Sequence, residues 1–163
     1  MIFKNTLKLT SILLAVLLVT GCDGLFEDHA SQFHLDDINQ VEWARPNPAS
    51  SSLSYTAELD AGQTEPEIVE LTVQLIGAQT GSDRTAEVAV SETDATAGTH
   101  FELLNSEVVI PANSSFGTVE VRILADNIAD GESYFAILEL QDGPELEAAV
   151  NFKDMSLEIE KDS

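Results

Sequence analysis

Few side chains in this 163-residue sequence are of a kind that does chemistry, and the first is its single cysteine, Cys22. It stands at the end of the apolar run SILLAVLLVTGC, with the small residue Gly21 just before it. With no second cysteine in the sequence it has no internal disulfide partner, so its thiol is left for attachment. The histidines are three, His29, His34 and His100. His29 and His34 fall in a polar stretch without periodicity, and a metal there would need further ligands held in place. Carboxylates number 29 against seven Lys and Arg, so abundant that no pair stands out for acid–base work. Serines and histidines occur in no nucleophile-elbow setting. The sequence contains no HExxH, no Gly-rich phosphate loop and no CxxC. These residue types point away from an enzyme and towards attachment and binding.

The elements that position Cys22 come before it. Lys4 and Lys8 precede an apolar stretch from about Leu9 to Val19. A charged leader, a short apolar segment and small residues make a secretory signal; a membrane-spanning helix needs roughly 20 apolar residues. Val19-Thr20-Gly21-Cys22 resembles the lipobox of bacterial lipoproteins. That resemblance implies cleavage before Cys22, a diacylglyceryl group on its thiol and an acyl chain such as palmitate on the new amino terminus. Two or more chains anchor a protein stably where one binds only marginally. Residues 1–21 are thus expected to be a lipoprotein signal peptide, 22–34 the lipidated cysteine and a flexible tether, and 35–163 one folded domain. The expected location is the cell envelope, on a membrane reached through the N-terminal lipid anchor. Asp23 resembles an inner-membrane retention signal of enteric bacteria, whereas Asp23, Glu27 and Asp28 together resemble a surface-export signal of other lineages. The leaflet stays open between them.

Removing residues 1–21, which hold two lysines and no acids, takes the net charge from −22 to −24. Nucleic acid and anionic lipid surfaces both require Lys/Arg clusters, so neither is an expected partner. An acid excess favours solubility and cation attraction, and it also suits proteins that work in high salt.

Beyond the tether the dominant period is two. Leu53, Tyr55, Ala57 and Leu59 alternate with polar residues, as do Val69, Leu71, Val73 and Leu75, then Ala86, Val88 and Val90. Val108 and Ile110, Val119, Val121 and Ile123, and Met155, Leu157 and Ile159 follow the same rule. Such alternation sets one face in a core and one in water. Asp60-Ala61-Gly62, Thr80-Gly81-Ser82-Asp83, Pro111-Ala112-Asn113, Asp130-Gly131 and Asp142-Gly143-Pro144 mark turns between the runs. The pattern predicts an all-β protein, an antiparallel β-sandwich of about seven or eight strands. YFAILEL at 134–140 is apolar on both faces and predicts a central, doubly buried strand. Val41 and Trp43 share a face of an early strand, which places Trp43 in the core.

The C-terminal half carries a second resemblance. Ala95-Thr96-Ala97-Gly98-Thr99-His100-Phe101, then Val108-Val109-Ile110-Pro111-Ala112, Gly117-Thr118-Val119-Glu120-Val121, Ile123-Leu124-Ala125-Asp126-Asn127 and Tyr134 to Leu140 follow one another in order. Together they resemble the Calx-beta repeat, over residues 85–141. The version with GTHF and IPA is also similar to small bacterial lipoproteins of unknown function. Both resemblances imply an immunoglobulin-like sandwich. In calcium-binding Calx-beta members, carboxylates clustered at one end of the sandwich hold the ions. Carried over position by position, Asp126 and Asp130 match two of those acids. Ala125 stands where another acid belongs, His100 replaces the Asp of the turn, and only Asp162 is left to match the distal acids. Calcium takes roughly 6–8 oxygen ligands, so two matched acids fall short unless neighbours such as Glu132 converge. The loop from Asp126 to Glu132 also departs from the EF-hand pattern, with Ile128 at its third position.

Two functions of different class follow. One is a lipid-anchored, non-catalytic binding, adhesion or accessory module with no cofactor, facing an envelope protein or a glycan. The other is a calcium-binding sandwich that depends on Ca2+ through Asp126 and Asp130 for stability or docking.

Overall fold

The computed structural model describes residues 38–163. Cys22 and the expected segments 1–21 and 22–34 lie outside the described residues. Ten strands form two sheets: β1 (Asn39–Trp43), β2 (Ser54–Leu59), β3 (Glu67–Gly77), β4 (Arg84–Thr93), β5 (Phe101–Leu103), β6 (Glu107–Ile110), β7 (Phe116–Ile123), β8 (Ser133–Gln141), β9 (Glu147–Ala148) and β10 (Asp154–Lys161). One sheet runs β5-β7-β3-β1-β9 and the other β2-β10-β8-β4-β6. A 3-10 turn at Ala125–Asn127 joins β7 to the loop before β8.

The period-two residues do what alternation requires. Val69, Leu71, Val73 and Leu75 of β3, Val119, Val121 and Ile123 of β7, and Met155, Leu157 and Ile159 of β10 are all buried between the sheets. Each such side chain contributes about 1.5–3 kcal/mol by leaving water. Trp43 is 1% exposed, with its indole N–H donating to the Lys153 carbonyl at 2.8 Å. The buried ring thus keeps its polar atom satisfied.

Three features differ from the sequence reading. The sandwich has ten strands, two or three more than expected. Two of its pairings, β1 with β9 and β2 with β10, are parallel. The third difference is β8, which is central in its sheet but buried on one face only. Ala136, Leu138 and Leu140 point inward, whereas Phe135 is 40% exposed. A two-layer sandwich has no third layer to cover the outer face of even a central strand.

Close approach matters at one glycine. A Cβ on Gly117 of β7 would meet the Val109 carbonyl oxygen of β6 at 2.5 Å. The bare backbone there lets the β6 edge of one sheet close against β7 of the other. Three glutamate pairs stand in direct register across the ladders: Glu70 with Glu120, Glu58 with Glu160, and Glu87 with Glu107. Like charges opposed across a ladder destabilise it.

Candidate functional site

Two regions gather polar side chains. The first lies where the chain leaves β1 and crosses to β2 in the other sheet. Trp43 donates its backbone N–H to the Phe152 carbonyl at 3.0 Å, and Ala44 donates to Thr72 at 2.9 Å. These bonds fix the exit of β1 against the turn before β10. The Arg45 guanidinium then lies over the Phe152 ring, 5.4 Å from its centroid, within cation–π range. Glu42, Trp43, Arg45, Gln74 and Phe152 line a cleft of about 400 Å3. Gln74 Nε2 donates to Glu42 Oε1 at 2.5 Å across its floor. A second hollow of about 330 Å3 is lined by Arg45 as well, with Tyr55, Glu70 and Thr72. One aromatic surface, a guanidinium, a carboxylate and an amide converge here, the mix of apolar and polar groups that lines small-molecule pockets.

The second region is the loop end of the sandwich, which contains Asp126 and Asp130. Its centre is Lys161, the last residue of β10. Lys161 is 7% exposed. Its ammonium donates to the carbonyls of Gln63 at 2.7 Å, Ile128 at 2.8 Å and Ala125 at 3.1 Å. It also sits 3.5 Å from Asp130 Oδ1. The three carbonyls come from the β2–β3 loop and from the turn after β7. The backbone closes the same knot: Lys161 N–H donates to Glu132, and Gly131 N–H donates to Lys161 at 2.9 Å. Gly131 holds φ +82°, where an L side chain is strained.

The residues carried over by resemblance are placed separately. Asp126 is exposed on the 3-10 turn. Asp130 accepts the Gly62 N–H at 2.9 Å and faces the Lys161 ammonium. Glu132 accepts from the Tyr134 hydroxyl at 3.0 Å and from Ala129 N–H at 3.3 Å. That bond to Glu132, with partial burial, holds the Tyr134 phenol above its ordinary range. His100 accepts the Thr96 N–H on Nδ1 at 2.9 Å and stacks on Tyr134 with centroids 4.0 Å apart. Among the described residues no three His, Cys, Asp or Glu side chains gather as a metal site. Calcium needs roughly 6–8 oxygens and tolerates no cation among them. With an ammonium between the carbonyls and Asp130, these residues do not fit the ion.

Sequence reasoning missed Lys161, yet its signal was present. The inward register Met155, Leu157, Ile159 continues to position 161, so the lysine stands on the core face of its strand. The Arg45–Phe152 cleft had no such signal, because it depends on a crossover between sheets.

The fold is a Calx-beta-like sandwich. Residues 36–159 match the model of a family described as a domain of unknown function, DUF4843, and the chain belongs to that family. No curated protein matches the sequence. Among solved structures, the apo-form Calx CBD1 domain is similar with a TM-score of 0.57 and 14% identity, covering 78% of this chain and 100% of that domain. A candidate carbohydrate-binding protein from Bacteroides ovatus is similar with a TM-score of 0.59 and 12% identity over 76% of this chain. A multidomain protein including DUF1735, also from Bacteroides ovatus, gives 0.57 and 15% over 74%. The chain spans 37% and 45% of the length of those two proteins.

Proposed function

We propose that this protein is a lipid-anchored, non-catalytic binding module of the cell envelope, and that it holds a glycan in the Arg45–Phe152 cleft. The observation that carries the reading is the cleft itself. Phe152, with the Arg45 guanidinium stacked on it, forms a wall for a sugar ring, while Glu42 and Gln74 offer hydrogen bonds to its hydroxyls. The likeness to a candidate carbohydrate-binding protein supports the same reading, over the part of that protein which this chain spans. Anchoring rests on Lys4, Lys8, the short apolar run and the Val19–Cys22 sequence. The lipid would hold the sandwich at a membrane surface by its N-terminal tether.

The test is a screen of glycans against the cell-processed protein, followed by titration of any hit. Arg45→Ala and Phe152→Ala should each weaken binding at least about tenfold, since each removes a direct contact worth roughly 1–2 kcal/mol. Binding that survives both substitutions would place the ligand elsewhere. Cys22→Ser should abolish incorporation of labelled palmitate, and continued labelling would reject Cys22 as the attachment point.

A further inference from the structure

The loop end of the sandwich is built as an oxygen cage, and the chain fills it from within. Carbonyls of Gln63, Ala125 and Ile128 converge at 2.7–3.1 Å on one point. The Asp130 carboxylate closes the set at 3.5 Å. Three carbonyls facing one another in a buried space repel, and leaving them unsatisfied costs free energy. A cation at their centre removes both problems. Here that cation is a side chain, delivered by the last inward position of β10.

We propose that the Lys161 ammonium is the resident cation of this sandwich, and that it holds the loop end together in place of a divalent metal ion. Loop 60–66, turn 124–132 and the end of β10 meet at its nitrogen. Of the two residues that a calcium reading would need, Asp130 is engaged beside it, oriented by the Gly62 N–H and the ammonium. Asp126 stands exposed on its turn. The stability of the loop end therefore depends on a covalently tethered charge and not on the calcium concentration outside the cell.

The test is cation rescue. Lys161→Ala removes the ammonium and its stem, leaving the oxygen cage open. In the cell-processed protein, extracted in mild detergent, Tm should fall by roughly 5–10 °C. Methylammonium should then restore part of the loss in a saturable way. Lys161→Met, which fills the space with an uncharged chain, should show a comparable loss and no recovery. A Lys161→Ala protein as stable as the unmodified one, or one that no cation restores, overturns the proposal. If Lys161→Ala does not fold, Asp130→Asn decides. It keeps an acceptor for Gly62 and removes only the charge beside Lys161. Its Tm should drop by a few degrees, equally in EDTA and in Ca2+. A drop confined to Ca2+ would show that Asp130 serves a metal and would overturn the proposal.

Discussion

The two ends of the sandwich are closed in different ways by buried cations. Lys161 ends β10 at one end, and Arg84 begins β4 at the other. Both occupy inward positions, and both are nearly buried, at 7% and 4% exposure. Lys161 is a point charge surrounded by three carbonyls from two loops and accompanied by Asp130. Arg84 spreads its charge over a planar fork, giving one bond to Asn39 Oδ1 at 3.2 Å and one to the Ala78 carbonyl at 3.1 Å. The lysine end is a knot of separate loops, so its charge decides whether they stay together. The arginine end is a peg between the start of β1 and the end of β3, which the β1–β3 ladder already joins. A compact ammonium suits a converging cage, and a planar guanidinium suits a gap between two acceptors.

Substitution at each end tests that contrast. Lys161→Met should cost about 3 kcal/mol by chemical denaturation, because it leaves the carbonyls of Gln63, Ala125 and Ile128 without their donor. Arg84→Met should cost about 1–2 kcal/mol, since it breaks two bonds and water reaches the exposed Asn39 amide. Equal losses at the two ends would dissolve the distinction. Away from both ends, the opposed glutamates predict a gain. Glu120→Lys should stabilise the protein by about 0.5 kcal/mol by turning the Glu70–Glu120 pair into an attraction. The gain should shrink in high salt, and a salt-independent gain would point to packing instead.

The smallest effect belongs to the partly exposed ion pair between Glu139 of β8 and Lys153, the residue just before β10. The Lys153 ammonium holds Glu139 below the usual carboxylate range, and Glu139 in turn holds Lys153 above its own. A depressed acid stabilises the fold above its unfolded value and loses that contribution as pH falls through the folded one. A raised lysine contributes below its unfolded value, about 10.4, and loses it as pH rises through the folded one. The stability difference between the unmodified protein and Lys153→Met should therefore be present at neutral pH and vanish under acid. A difference unchanged at acid pH would mean that Lys153 acts through its stem alone.

Much of the sandwich is legible in the sequence because burial and alternation are local. Val69 to Leu75 and Met155 to Ile159 declare their inner faces without reference to any partner. Trp43 reads correctly for the same reason, sharing a face with Val41. The strands that escape are β5 and β9, with three and two residues, too short to show a period. The parallel pairing of β2 with β10 joins residues about a hundred positions apart, and no local pattern encodes it. YFAILEL misleads because composition reports apolarity, while layer number decides what is covered. At the loop end the acids are legible by type, and the cation only by its place on the inward face of β10. Asp126 and Asp130 stand out as residue types, but Lys161 matters through its position in a register. The cleft at Arg45 combines β1, β3 and the turn before β10, and its chemistry exists only after folding.

The central claim is that this sandwich carries its own cation. The most direct measurement is thermal unfolding of the unmodified, cell-processed protein in EDTA, Ca2+ and Mg2+ at matched ionic strength. Tm should be the same in Ca2+ and Mg2+, with any shift from EDTA reproduced by monovalent salt that screens the outer glutamates. A ligand at a hundred times its Kd adds about 2.7 kcal/mol, a shift of several degrees for a domain of this size. A rise of that order in Ca2+ alone would mean that the loop end takes a metal ion and that Lys161 is not its resident cation.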